Sequence, residues 1–176
     1  MTTGRLLLDA TLNSFEYHKG LADRAMAQLS DDDLNTPLAP AGNSIAVLAK
    51  HVGGNLASRW TDFLTTDGEK PWRHRDDEFV DDLDRDAVLQ HWNRGWTVLF
   101  DTLRSLTPDD LDRTVTIRGE DHSVPMAIQR SLAHTAYHVG QIVELARLHA
   151  GDNWQTLSIP RGGSSNYNRQ KGHETT

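Results

Sequence analysis

Leu8, Leu12, Phe15, Ala22, Met26 and Leu29 recur at steps of three, four and seven, the period of one buried helical face, and predict a first helix over residues 5–29. Ser30 to Asp33, then Pro37, Pro40 and Gly42, break the pattern, and Asn43 or Ser44 is the expected cap of a second helix over about 44–66. Ile45, Leu48, Val52, Leu56 and Phe63 form its apolar stripe, and Gly53-Gly54 inside it points to close packing. Residues 67–84 are polar, hold a proline and lack helical periodicity, so they read as a long connection of the kind that often carries function. Leu89, Trp92, Trp96, Leu99, Leu103 and Leu106 mark a third helix, capped by Asp84 or Asp86 and stopped at Pro108. Thr114 to Arg118 alternates β-branched and polar residues before Gly119, which suggests a small hairpin or extended crossing. Ser123 and Pro125 then open a fourth helix that carries Ile128, Leu132, Thr135, Val139, Ile142, Val143 and Ala146 to Gly151.

Four amphipathic segments of this length predict an all-α fold, a four-helix bundle with one long crossover and a small extended segment before the last helix. The chain has 176 residues, enough for one domain, assigned here to residues 1–160, with residues 161–176 as a tail whose last ten or so residues are expected to be disordered. Eighteen basic against 25 acidic residues give a net charge of -7 without a basic run, which argues against nucleic acid as a partner. No window has the apolar length of a membrane span, and the N-terminus lacks a signal-peptide pattern, so a cytoplasmic protein is expected. The chain has no cysteine, so any thiol chemistry needs a thiol from outside. Neither a phosphate-binding glycine loop nor a G-x-S-x-G elbow is present.

Nine histidines remain to be placed. His74, His122 and His173 fall in loops or the tail, His91 lies off the apolar stripe of its helix, and His149 suits a helix C-terminus. His18 reads as a hydrogen-bonded structural residue. His134 and His138 differ, because i and i+4 on one helix puts both rings on one face, one turn apart and close enough for a single cation. Gln141 extends that face. By helical geometry the pair lies roughly 80 to 120° from the apolar stripe, and His51 lies about 120° from its own stripe in the same rotational sense. The two flanks can therefore meet, or His51 is simply a boundary residue; periodicity does not decide between these.

HVGGN in the second helix, HTAYHVGQ in the fourth, RWTDFLTTDGEKPWRHRDDEF between the second and third, and LSIPRGGSSNYN near the end together resemble the DinB/YfiT-like superfamily of metal-binding four-helix bundles, over nearly the whole chain. The resemblance implies an up-down-down-up helix order, frequent homodimers, and one divalent metal, usually zinc or nickel, held by residues matching His51, His134 and His138. It also implies a choice of activities. Characterised members include S-transferases that use bacillithiol or mycothiol, and others are described as metal-dependent hydrolases.

Three neutral imidazoles leave a dication uncompensated and with an open position, the pattern of a catalytic site. A small thiol placed there is activated as thiolate, and a water is activated for hydrolysis. The leading expectation is thus a metal-dependent S-transferase that takes a low-molecular-weight thiol and an electrophile, with a hydrolase or a non-catalytic stress-associated metal binder as alternatives. Asn55 and Gln141 are candidates to orient the imidazoles or a ligand, Arg161 is a candidate to receive a substrate carboxylate, and Trp72 to stack on substrate. No carboxylate stands one turn from a ligand on the same side, so no general base is assigned.

Overall fold

The computed structural model describes residues 2–80 and 84–173 and is predominantly helical, with one two-stranded sheet. Four long helices share the core: α1 (Thr3–Met26), α3 (Ile45–Trp60), α4 (Arg85–Ser105) and α5 (Val124–Ala150). Short helices α2 (Asp31–Asn35) and α6 (Ser164–Gln170) were not foreseen from periodicity, which needs more than one or two turns to show. Ser30 and Asp33, read above only as a break, form a reciprocal capping box that starts α2. The tail, expected to be disordered over its last ten or so residues, instead holds α6, whose residues are largely exposed. Residues 174–176 lie outside the described residues.

The long helices begin where side chains can accept the free N–H groups of a first turn. Thr2, Ser44, Asp84 and Ser123 each accept one for α1, α3, α4 and α5. The second predicted helix ends earlier than expected, at Trp60 rather than residue 66. Asp62 adopts a left-handed conformation (φ 49°), and its carbonyl accepts the N–H of both Thr65 and Thr66, which closes a turn in place of another helical one.

Pairing of the helices follows from their small residues and indoles. In α3 and α4, Gly53 faces Gly95, and the carbonyl of Trp60 accepts from Oγ1 of Thr102, so the two run side by side in one direction. The indole Nε1 of Trp92 reaches Asp23 of α1 at 2.8 Å, and Nε1 of Trp60 reaches Ser131 of α5 at 3.1 Å. Phe15, Trp60, Trp92 and Trp96 are fully buried where these helices converge, with Phe15 edge-on to both Trp60 and Trp96.

The expected extended segment is a hairpin of β1 (Thr114–Ile117) and β2 (Glu120–Ser123), paired antiparallel. Its two-residue turn places Arg118 (φ 57°) and Gly119 (φ 74°) in left-handed backbone, the geometry that matches strand twist. Asp67 accepts the N–H groups of both, at 2.9 and 2.8 Å, and so fixes the hairpin to the connection that follows α3. No helix among the described residues is long and apolar enough to cross a membrane.

Candidate metal centre

His51 comes from α3, and His134 and His138 from α5. One ring nitrogen of each lies within 4.8 Å of the others, a separation that a single cation can bridge. The Nε2 atoms of His51 and His134 are 3.3 Å apart. His51 is buried and the other two are half-buried.

Neighbours fix which nitrogen of two rings carries the proton. Nδ1–H of His51 donates to Oε2 of Glu78 at 2.9 Å, and Nδ1–H of His138 donates to Oε1 of Gln141 at 2.8 Å. Each bond leaves Nε2 as the lone-pair nitrogen, the state a metal requires. The third ring, His134, has its Nδ1 buried without a hydrogen-bond partner among the described residues. Burial, reinforced by His138, His51, Arg73 and Arg59, pushes the His134 imidazolium down to about 3, and burial likewise lowers His138. His134 and His138 are neutral donors at physiological pH. The donor set therefore fits a divalent cation.

Glu78 is the residue that sequence reasoning missed. It lies on a short 3-10 turn, Arg75–Phe79, inside the connection that had looked structureless. Burial opposes its ionisation, but hydrogen bonds from His51 and Arg73 outweigh that and hold its carboxyl below the ordinary value. Arg73 grips it at both oxygens, at 2.8 and 2.9 Å, and is itself almost fully buried. The turn is tied to α3 by Lys50, whose ammonium donates to the carbonyl of Asp77. Gly54 makes the approach possible: a Cβ at this position would lie 2.2 Å from Oε1 of Glu78. His91, off the apolar stripe of its helix, is nonetheless half-buried beside Gly53 and Gly54, with its protonation disfavoured by burial.

A cavity of about 310 Å³ opens beside the three rings. Trp60, Phe63, Phe79 and Tyr137 supply apolar wall, and Asn55, one turn from His51, lines it as well. Arg161 is exposed and, like Trp72, is not among the lining residues, so neither is brought to the histidines.

A family model described as "Protein of unknown function (DUF1572)" matches residues 2–163. The chain belongs to this family. A search of curated proteins finds no match. The matched span of the DUF1572 chain takes in all four long helices and the three histidines.

Two outcomes follow from the surroundings of this DUF1572 site. In Glu78→Gln the amide can still accept from His51 but no longer balances Arg73. Zinc affinity in a chelator competition should then fall about 10- to 100-fold, the usual cost of losing a partner that orients a ligand. The second outcome is a pH effect on the metal-free chain. Below pH 6.5 the unfolded chain binds a proton at His134 that the native chain refuses until about 3, so stability is full above that window and declines as pH falls through it. Urea midpoints of chelator-treated protein should show the decline, and His134→Ala should flatten it. Equal slopes for the two proteins would count against the buried neutral imidazole.

Proposed function

We propose that this chain is a DinB-like, metal-dependent S-transferase, in which His51, His134 and His138 hold one divalent cation, zinc or nickel, and the sulfur of a low-molecular-weight thiol, its proton lost to solvent, bonds to an electrophilic carbon as that carbon's leaving group departs. The fold belongs to the same reading. The parallel α3 and α4, the antiparallel contact of Trp92 with Asp23 and of Arg85 with the α1 end, and the crossover between α3 and α4 suit an up-down-down-up four-helix bundle.

One observation carries the proposal: rings from two helices converge, two of them with their outer nitrogen anchored, beside a cavity large enough for a small molecule. An imidazole binds a cation as a neutral ligand, and Glu78, which accepts from His51, is paired with Arg73. A cation bound there keeps its double charge, acts as a Lewis acid and favours an anionic sulfur ligand over a neutral one. The absence of cysteine accords with a nucleophile that arrives on the cosubstrate.

His51 and His138 contribute by presenting fixed lone pairs, so little reorganisation accompanies binding. The apolar wall of Trp60, Phe63 and Phe79 excludes water from the reacting sulfur and gives the electrophile a surface to pack on.

The test is conjugation. Zinc- or nickel-loaded protein mixed with bacillithiol or mycothiol and monochlorobimane should yield fluorescent conjugate well above the uncatalysed rate. Chelation should remove the excess and re-addition of metal restore it. Metal-dependent cleavage of model esters or amides without conjugation by either thiol would replace this reading with the hydrolase. Neither activity, in protein that retains its metal, would leave a binding protein.

A further inference from the structure

The cavity has a second chemical end. Arg59 lies eight residues after His51 on α3, and Arg130 eight before His138 on α5. At 1.5 Å of rise per residue Arg59 stands about 12 Å along α3 from His51, and Arg130 about 6 Å along α5 from His134 and about 12 Å from His138. The hydrogen bond from Trp60 to Ser131 joins the two helices at this far end, and the hairpin brings Arg118 to it. All three arginines line the same cavity as the histidines.

Their nearby acidic partners are Glu69 and Asp67, the latter held by the hairpin backbone. Arg59 and Arg118 share a single carboxylate oxygen, Oε2 of Glu69, at 3.2 and 2.8 Å. Arg130 forms no ion pair among the described residues. Nη1 of Arg59 is buried and has no hydrogen-bond partner there, and burial makes its charge costly enough to lower its proton affinity. That nitrogen packs against Gly68, while other atoms of Arg59 line the cavity, so the guanidinium carries a desolvation cost that a nearby anion would offset. This concentration of positive charge occurs in a chain whose net charge is -7. Trp60, Phe63, Val115 and Ile117 supply apolar wall around the arginine end, and Asn55 lines the cavity between His51 and Arg59 on α3.

We infer that the natural ligand is an elongated anion, with a metal-binding head at the histidines and a carboxylate or phosphate group about 6–12 Å away, received by Arg59, Arg118 and Arg130. The head depends on the metal reading above; the anion end does not. Arginine rather than lysine suits this place because its planar fork pairs with two oxygens at once.

The test uses the full chain, with nitrogen-15 resonances of the arginine side chains observed by NMR. Metal-free protein is titrated with octanoate, octyl phosphonate and octanol. Both anions should move the Arg59 and Arg118 resonances and bind about tenfold or more tighter than the alcohol, and the tighter of the two anions identifies the tail group. Arg130→Gln, an exposed position with no ion pair to lose, should erase most of that preference while leaving the melting temperature in place. Arg59→Lys should weaken it while keeping the charge. Equal binding of octanoate and octanol, or anion binding that leaves the Arg59 and Arg118 resonances in place, would overturn the inference.

A cobalt-loaded arm separates the two readings. There an ω-mercaptoalkanoate long enough to span the cavity should perturb the cobalt absorption at lower concentration than its matched mercaptoalcohol. Protein that takes up no cobalt yet still selects octanoate over octanol would keep the anion site and discard the metal.

Discussion

His134→Ala is expected to leave the purified protein almost free of zinc and nickel, while the chain folds at least as well as before without metal. A lost ligand should cost more than the roughly 10- to 100-fold assigned to partners that only orient one, so metal analysis after dialysis should read close to background. The opposite sign on stability follows from the surroundings of this ring. His134 packs against both His51 and His138, with Nδ1 buried and unpartnered among the described residues and protonation driven down to about 3. Removing it relieves three donor atoms that crowd one another without an ion, and alanine favours the interior of α5. The metal-free variant should therefore melt no lower than metal-free wild type, and its advantage should grow as pH drops below 6.5. His74→Ala, on an exposed residue of the connection, is the control and should keep its metal. Full metal occupancy in His134→Ala would remove the histidine site and, with it, the proposed activity.

How much of this could be seen in the residues alone depended on the length of each element. The long helices announced themselves because a stripe such as Leu89, Trp92, Trp96, Leu99 and Leu103 repeats for several turns, and the four caps fell on Ser, Thr or Asp. The histidine pair was legible for the same reason, since i,i+4 spacing on a certain helix fixes a shared face. His51 was harder: periodicity put it on a flank, and only the packing of α3 against α5 shows that the flanks meet. Glu78 and Arg73 were invisible because a 3-10 turn of five residues has no period, and Arg73-x-x-x-x-Glu78 looks like any charged loop. The signal that pointed toward them was Gly53-Gly54. Two glycines within an otherwise strong helix indicated that something approaches closely, and what approaches is α4 on one side and a carboxylate on the other. Arg161 was a reasonable carboxylate receiver by type, but the arginines that reach the cavity come from α3, α5, the connection and the hairpin turn.

That division of labour between the two glycines predicts opposite consequences for two small substitutions. A Cβ at Gly95 would lie 2.2 Å from the carbonyl oxygen of Gly53 and 2.7 Å from its Cα, so backbone stands against backbone and nothing flexible can yield. Alanine normally gains up to about 1 kcal/mol over glycine inside a helix. Here α3 and α4 must move apart, which opens the contacts around Trp60, Trp92 and Trp96, and overpacking of this kind costs about 1–3 kcal/mol, occasionally more. With no rotamer available to absorb it, Gly95→Ala should lose about 2–3 kcal/mol net, read as a lower urea midpoint with an unchanged slope. At Gly54 the obstructing atom is Oε1 of Glu78, the tip of a side chain on a short turn. Gly54→Ala should displace that carboxylate, release Nδ1 of His51 and reduce zinc affinity by about 10- to 100-fold, with a much smaller change in the midpoint. The two variants thus separate the fold from the site, although Gly95 abuts Gly53, the immediate neighbour of Gly54. If Gly95→Ala unfolds at the wild-type urea concentration, the helices do not touch as described. If Gly54→Ala binds zinc as wild type does, Glu78 does not hold His51 in place.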